Sequence, residues 1–376
     1  MELLQQYQPI AQILFLVFCL ATLLQLLYNW GIFSRLAFYK PKEKSQTRQH
    51  AVSVIVCGRD EAARFVRNLP GILVQSYKTT HEVIVVNHNS QDDTRYVLEE
   101  FKKDFKGLKV VNLEQEAIGI PGKKYPLSIG IKESRYEILL LTDADCVPAS
   151  ENWIEKMQDG YEDGTAIVLG YGSYHKRPGL LNKLIRYETY LTGLQYLSFA
   201  LAGSPYMGVG RNLSYKRALF FDNKGFSSLN HIPGGDDDLF INKVATAENT
   251  RIMIDSDAMT LSEPKRKFGD WLRQKSRHYS TARYYKTKHQ WLLGLFIGSY
   301  MAFYPLFIAC LCMFDWKITL GIYGLRLLTT GIIQYRTMNK LQEKDLFAWW
   351  WLLDIWMFLY YCIFSTALWK KPSANW

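Results

Sequence analysis

Apolar runs near both ends of the chain constrain its fold more than any other feature. Residues 10–30 are almost wholly apolar, about the roughly 20 residues that a helix needs to cross a bilayer. Residues 291–314 and 346–369 are two further runs of this kind, and 318–333 is a shorter, weaker one interrupted by Arg326. Trp349, Trp350, Trp351, Tyr360, Tyr361 and Trp369 suit the aromatic belt of a membrane interface. The first run has no basic stretch ahead of it and no small-residue cleavage site behind it, so it reads as an anchor and not a removed signal. Arg326 and Asp354 fall inside predicted spans. Buried membrane charges are costly and usually paired, so these two are expected to pair with each other.

Between the runs the pattern changes. Residues 52–56, 82–86, 108–113 and 137–141 read as strands, alternating with predicted helices at 61–76, 92–103 and 124–134. The first of these helices is expected to kink or break at Pro70-Gly71. Such alternation predicts an α/β fold with a mainly parallel sheet and helices on both faces. Further on, 166–169 and 251–254 read as short strands and 206–215 as a strand pair broken by glycines. Residues 180–201 have helical periodicity and are assigned to the membrane interface in preference to the core. Residues 268–285 are basic and aromatic, the pattern of a helix lying on a membrane.

The strand at 137–141 delivers Thr142-Asp143-Ala144-Asp145-Cys146 to its carboxyl end, where open α/β sheets bind ligands. Side chains alternate along a strand, so Asp143 and Asp145 share a side only if the strand ends or turns there. Two carboxylates with nothing basic beside them in sequence attract a hard divalent cation, which can hold a diphosphate. A second acidic cluster, Asp236-Asp237-Asp238, follows Gly234-Gly235 and precedes a predicted helix start, where acids also favour the macrodipole. Adjacent acids raise one another's pKa, which suits a base working near neutral pH. A third motif, Gln274-Lys275-Ser276-Arg277-His278, lies just ahead of the second apolar run.

The net charge of +10 is concentrated at the membrane junctions. Arg35, Lys40, Lys42, Lys44 and Arg48 follow the first run, and nine Lys or Arg lie between 265 and 288. The positive-inside rule then puts the central region in the cytoplasm. Arg336, Lys340 and Lys344 place the last loop on the same side. Lys370 and Lys371 would then lie outside, unless the segment around Arg326 is re-entrant or interfacial. Anionic headgroups and a diphosphate explain this charge more simply than nucleic acid, which is not an expected partner. The six cysteines lie mainly in apolar segments without metal-type spacing, so they read as reduced thiols.

In this order and membrane context the motifs resemble those of membrane-bound family 2 glycosyltransferases, over roughly residues 52–279 plus the flanking spans. The family's S-V-I-x-P-x-x-N-E is similar to Ser53 to Glu61, with Cys57 for the proline and Asp60 for the asparagine. Its V-V-D-D-G-S-x-D-x-T is similar to Val85 to Thr94, with Asn87 and His88 for the two acids. Its G-K-x-x-A-L-N-x-G is similar to Gly122 to Gly130. E-D-x-D-L falls on Gly235 to Leu239, and Q-x-x-R-W on Gln274 to His278.

The resemblance implies the GT-A fold, Rossmann-like and mainly parallel, and transfer with inversion from a nucleotide-diphosphate sugar, UDP being the expected carrier. The expected acceptor is a lipid-linked or glycan hydroxyl at the cytoplasmic face of the inner membrane. It implies Asp236 as the base, beside Asp237, Asp238 and Arg277. It puts Arg59, Asp60, Glu61, Asn87, Lys123, Asp143, Asp145, Gln274 and Arg277 on the donor. Gly210, Arg211, Asn212 and His278 go to the acceptor side, and Asp145 with Asp143 to Mg²⁺ or Mn²⁺. The expected organisation is an anchor at 1–34, a catalytic domain at 50–260, interfacial helices at 261–289 and a membrane region of two or three spans at 290–376. A polyprenyl-phosphate glycosyltransferase, a processive polysaccharide synthase and a non-catalytic membrane scaffold are the rival readings.

Overall fold

A computed structural model describes residues 8–41, 49–115, 117 and 119–365. Lys42, Lys44, Arg48, Trp369, Lys370 and Lys371, used above for orientation and the aromatic belt, lie outside the described residues. The chain divides into two compact units. One reaches Lys40 and resumes at Lys286; the other contains Pro41–Tyr285.

The second unit is built on ten strands: β1 (Val52–Gly58), β2 (His81–His88), β3 (Leu108–Leu113), β4 (Ile138–Asp143), β5 (Cys146–Pro148), β6 (Ile167–Leu169), β7 (Gly172–Tyr174), β8 (Leu213–Lys216), β9 (Thr250–Ile252) and β10 (Thr260–Ser262). The main sheet has the order β3-β2-β1-β4-β8-β6-β9, and a small second sheet has β5-β10-β7. In the main sheet β8 runs antiparallel to β4 and β6, and the other pairs are parallel. β1 is buried along its whole length because both faces are covered. Val54 and Val56 pack with Phe65, Leu69 and Ile72 of the Ala62–Leu73 helix and with Trp153 of the Trp153–Gln158 helix. On the other face Ile55 meets the Lys124–Glu133 helix at Gly130, where a Cβ would stand 2.7 Å from Ile55 Cγ2. Burying one such large apolar side chain contributes about 1.5–3 kcal/mol, so the covered middle of β1 fixes where its polar end emerges. This is the α/β architecture the alternation predicts.

Several details depart from expectation. The Ala62–Leu73 helix runs unbroken through Pro70, whose carbonyl still closes the last turn by accepting from Val74 N at 2.9 Å. Leu180–Leu201 is a core helix and not an interfacial one, with Ile185, Tyr187, Glu188, Tyr190 and Leu194 all buried. Its one acid, Glu188, is paired inside the protein with Lys275. Residues 206–215 form a single strand, β8, preceded by a 3₁₀ turn at Gly210–Asn212. The expected strand near 251–254 is β9, and β10, too short to show alternation, had no sequence signal. In the predicted interfacial segment, Phe268–Tyr279 is helical with Trp271 fully buried, while Phe268 and Tyr284 are exposed.

The other unit is helical. Gln8–Leu27 continues through a π-helical turn at Tyr28–Phe33 into Ser34–Ala37; Thr287–Met313, Trp316–Lys340 and Trp350–Ser365 follow. Three stretches are long and apolar enough to cross a membrane, Pro9–Ala37, Thr287–Met313 and Lys344–Phe364, which mark an integral membrane protein. The segment around Arg326 is one continuous 25-residue helix, longer than the sequence pattern indicates, and it does not turn back on itself. Arg326 and Asp354 pair as expected, with Nη1–Oδ2 at 2.7 Å, both side chains buried. Gln25 Oε1 accepts from Arg326 Nε at 2.7 Å, and the hydroxyls of Tyr300 and Tyr304 donate to Asp354. The guanidinium also lies over the Phe303 ring, 4.4 Å from its centroid. Every helix of the unit therefore supplies a side chain to one ion pair.

Candidate active site

β1 and β4 are in parallel register, with Cys57 beside Asp143. β4 ends at Asp143, and a turn at Ala144-Asp145 leads into β5. That turn lets the two carboxylates share a side. Ligand atoms of Asp143, Asp145 and Cys146 all lie within 4.8 Å of one another. Cys146 is fully buried, with its Sγ 2.9 Å from Ser262 Oγ. Burial, then Asp145 and Asp143, push its thiol well above the usual range. A neutral thiol is a poor ligand for a hard cation, whereas two carboxylates suit Mg²⁺ or Mn²⁺, so the residues fit such an ion through Asp143 and Asp145. Lys123 Nζ donates to Asp143 Oδ1 at 2.7 Å. Burial would raise the Asp143 carboxyl, but Lys123, then Arg211 and Arg277, hold it below its ordinary range. Burial pushes the neighbouring Cys57 thiol up to about 12, so it is neutral.

The acidic cluster reaches the same place on a glycine turn. Gly234 and Gly235 have φ of +78° and +79°, and a Cβ on Gly235 would stand 2.4 Å from Leu239 Cδ1. A glutamate therefore cannot occupy position 235 in this conformation, which accounts for the departure from E-D-x-D-L. Lys124, buried in the helix that follows Gly122-Lys123, donates to the Ile232 carbonyl and fastens the loop.

The three acids then separate. Asp237 accepts from Gly210 N and Asp238 N, both at 2.7 Å, and caps the Asp238–Val244 helix. Asp238 is buried and accepts from Thr281 Oγ1 at 2.6 Å, Tyr285 OH at 2.8 Å and Leu239 N at 2.8 Å. Burial, then Asp236 and Asp238, push Asp237 up to about 8. Burial also raises Asp238. The oxygens of Asp237 and Asp238, both expected to take part in catalysis, are taken up by hydrogen bonds within the protein. Asp236 has no hydrogen bond or ion pair among the described residues. It lines a concavity with Cys57, Lys123, Asp143, Gly210 and Asp237.

The motif helix Phe268–Tyr279 is held by a buried ion pair that sequence reading missed, Lys275 with Glu188 of the Leu180–Leu201 helix. The signal was present: Glu188 is the one acid in a 22-residue helix. Arg277 lies within electrostatic reach of Asp143. His278 is exposed, with the cations Lys275, Arg277, Arg211 and Lys123 within its electrostatic reach. Gln274 Oε1 is buried without a hydrogen-bond partner.

The remaining expected residues divide. Asp60, at φ +54°, accepts from Gln91 N at 2.7 Å, and its own N–H donates to Ser90. It thus ties the turn carrying Arg59 and Glu61 to the turn after β2. Asn87 is buried, bonded to Asn112 at 2.9 Å, with its own Oδ1 unpartnered. Asn212 does not face an acceptor and is corrected: it is fully buried, and its amide binds Trp153 Nε1 and the Tyr171 and Ala258 carbonyls. Gly210 and Arg211 stay beside β4, where Thr142 Oγ1 donates to the Arg211 carbonyl at 3.0 Å.

Comparison with known proteins gives one coherent answer. The family model described as "Glycosyltransferase like family 2" matches residues 50–281. The chain is 32% identical over 106 residues to glycosyltransferase AglE of Haloferax volcanii, covering 28% of this chain and 33% of that protein. It is 28% identical over 182 residues to the probable glycosyltransferase YdaM of Bacillus subtilis, covering 45% and 41%. The match thus spans well under half the length of either relative. Among solved structures it is similar to the mannosyltransferase PcManGT from Pyrobaculum calidifontis in complex with GDP-Man and Mn²⁺. That likeness has a TM-score of 0.59 and 20% identity over 93% of this chain and 99% of the other, and it is a likeness of fold.

Proposed function

The chain belongs to glycosyltransferase-like family 2, and from that premise we propose that it transfers a sugar from a nucleotide-diphosphate sugar to a hydroxyl of a lipid-linked or glycan acceptor, with inversion. The observation that carries the reading is the isolation of Asp236. Of three adjacent acids it alone has no internal partner among the described residues, and it faces the concavity that contains Lys123 and Asp143. A hydroxyl acceptor must lose its proton as it attacks, and an unencumbered carboxylate within reach can take it.

In the proposed step the acceptor oxygen bonds to the anomeric carbon as the bond from that carbon to the diphosphate oxygen breaks. The electron pair leaves with the diphosphate, and the acceptor proton passes to Asp236. Lys123, already within 2.7 Å of Asp143, and Arg277 supply positive charge where the leaving oxygen develops its negative charge. Gln274, Asn87 and the turn of Arg59, Asp60 and Glu61 are assigned to the donor, and Gly210 and His278 to the acceptor side. A Mg²⁺ or Mn²⁺ held by Asp143 and Asp145 would supply Lewis-acid stabilisation of the leaving group. PcManGT was solved with GDP-Man and Mn²⁺, which supports this ion and makes GDP-sugars candidates beside UDP-sugars. The basic residues at the membrane junctions support a cytoplasmic site at the inner membrane. Residues 50–260 would be the catalytic domain, followed by the motif helices and the membrane region.

The test is release of nucleoside diphosphate from a panel of nucleotide-sugars by detergent-purified protein, with Mn²⁺, Mg²⁺ or chelator and membrane lipid extract as acceptor. We expect metal-dependent release from one donor, lowered about 10²–10⁴-fold by Asp236→Asn. Full activity of Asp236→Asn would favour an acceptor that is already an anion, such as a polyprenyl phosphate. Release from no donor would leave the scaffold reading.

A further inference from the structure

Arg211 is a cation in the candidate site that spends none of its donors on the described residues. Its guanidinium makes no hydrogen bond or ion pair with the described residues, and Nη1 is buried with no partner. The nearby cations differ. Lys123 is bound to Asp143, Lys275 to Glu188, and Lys124 to a carbonyl. A buried or half-buried arginine with an ordinary structural role uses its five N–H groups on carbonyls or carboxylates, because leaving them unpaired is expensive.

The side chain is nevertheless firmly placed. Its backbone carbonyl accepts from Thr142 Oγ1 at 3.0 Å and Thr260 Oγ1 at 2.9 Å, which pins it to the ends of β4 and β10. The guanidinium lies on the ring of Tyr174, 4.6 Å from its centroid. Gly172, two residues before Tyr174, makes room for the stem: a Cβ there would stand 3.1 Å from Arg211 Cβ and 3.6 Å from Nε. Stacking fixes the plane of a guanidinium without consuming its N–H groups. The result is a preorganised fork of donors, held from its face and its stem, with Nη1 buried and unpaired. It lies within electrostatic reach of Asp145 and Asp143 on one side and His278 on the other.

We propose that Arg211 is an oxyanion-binding residue of this site, taking two oxygens of a phosphate or carboxylate group carried by a substrate. This rests on the glycosyltransferase reading for the identity of the substrate, and adds to it the class of group recognised. A planar fork matches such a pair of oxygens, whereas a lysine would offer only a point charge. The group belongs either to the donor's diphosphate or to an anionic substituent on the acceptor or the transferred sugar.

Two calorimetric arms on the full-length protein in detergent separate these sources. The first titrates inorganic pyrophosphate in the presence of Mn²⁺. The second titrates inorganic phosphate into protein already saturated with Mn²⁺ and pyrophosphate. Arg211→Met keeps the stem packed on Gly172 and Tyr174 and removes the fork; Arg211→Lys keeps the charge alone. We expect Arg211→Met to weaken binding about tenfold or more in one arm, as for a charge-assisted hydrogen bond of roughly 1.5–3 kcal/mol, with Arg211→Lys recovering only part. A loss in the first arm assigns the diphosphate; a loss confined to the second assigns the additional anionic group. Arg211→Lys, the milder change, carries the test if the methionine variant does not fold. Unchanged binding in both arms, in variants that melt like the parent, overturns the proposal. That result would not count against sugar-nucleotide turnover by the parent, whereas a parent that binds pyrophosphate but turns over no donor counts against the enzyme reading alone.

Discussion

Two buried groups of charge in this chain are built on opposite plans. In the membrane unit Arg326 and Asp354 are closed on each other, and Gln25, Tyr300 and Tyr304 take up the remaining donors and acceptors. In the catalytic unit the charges are left incomplete. Among the described residues Asp236 has no hydrogen bond or ion pair, Arg211 offers an unused fork, and Gln274 Oε1 and Asn87 Oδ1 are buried without hydrogen bonds. A charge in a hydrocarbon surround must be satisfied by the protein itself, because nothing else will do it. A charge that is to meet substrate must be held in place but left unsatisfied. The contrast separates structural from functional polarity better than burial does, since Asp238 and Lys275 are buried, adjacent to the site, and fully engaged.

The sharpest test of this contrast is Asp236→Asn. It should lower transfer about 10²–10⁴-fold while the melting temperature stays within a degree or two of the parent. A large fall in stability would put Asp236 among the structural charges. Asp354→Asn should do the reverse and cost about 3–5 kcal/mol, because it strands Arg326. Replacing both by leucine should recover much of that loss in thermal unfolding in detergent; a double variant that loses as much as the two single variants added together would mean that the two are not coupled. Tyr285→Phe and Thr281→Val should each cost roughly 1.5–3 kcal/mol, as for a hydrogen bond to a charged group. For a catalytic unit of this size that is several degrees of melting temperature, at about 2–4 °C per kcal/mol.

The smallest effect concerns pH. Asp237, pushed up to about 8, keeps its proton in the folded protein between roughly pH 4 and 8, where the unfolded chain has lost it. The folded state then binds more protons, so this residue makes stability fall as pH rises through that window. Asp237→Asn should flatten that decline relative to the parent, by a few degrees between pH 5 and 8. An unchanged slope would mean that Asp237 is ionised and serves as an ordinary helix cap.

Much of this was legible in the sequence because it depends on local pattern. Four strands separated by helices predict the parallel half of the sheet, and the strand ending in Thr142-Asp143 predicts where its carboxylates emerge. The pairing of Arg326 with Asp354 was legible for a different reason: two opposite charges inside apolar runs have few alternatives. Other features depend on contacts between distant segments. Nothing in Asp236-Asp237-Asp238 says which acid is free, because Gly210, Thr281 and Tyr285 decide it, up to 47 residues away. Asn212 was placed on the acceptor side by resemblance alone, yet Trp153, Tyr171 and Ala258 take up its amide. The helix at 180–201 was assigned to the interface because its many apolar and aromatic residues suit a membrane surface as well as a core, and only the distant Lys275, which meets Glu188, shows that it is core.

The membrane ion pair also sets an order of events during synthesis. Arg326 is made 28 residues before Asp354. At 5–20 residues per second the cation emerges roughly 1.4–6 s ahead of its counter-ion. During that interval its helix has Gln25, Tyr300 and Tyr304 to turn to but no carboxylate, so its residence in lipid is provisional until the last helix arrives. A chain stopped before Asp354 would expose an unfinished helix to membrane quality control, and the final helix acts as the step that commits the bundle.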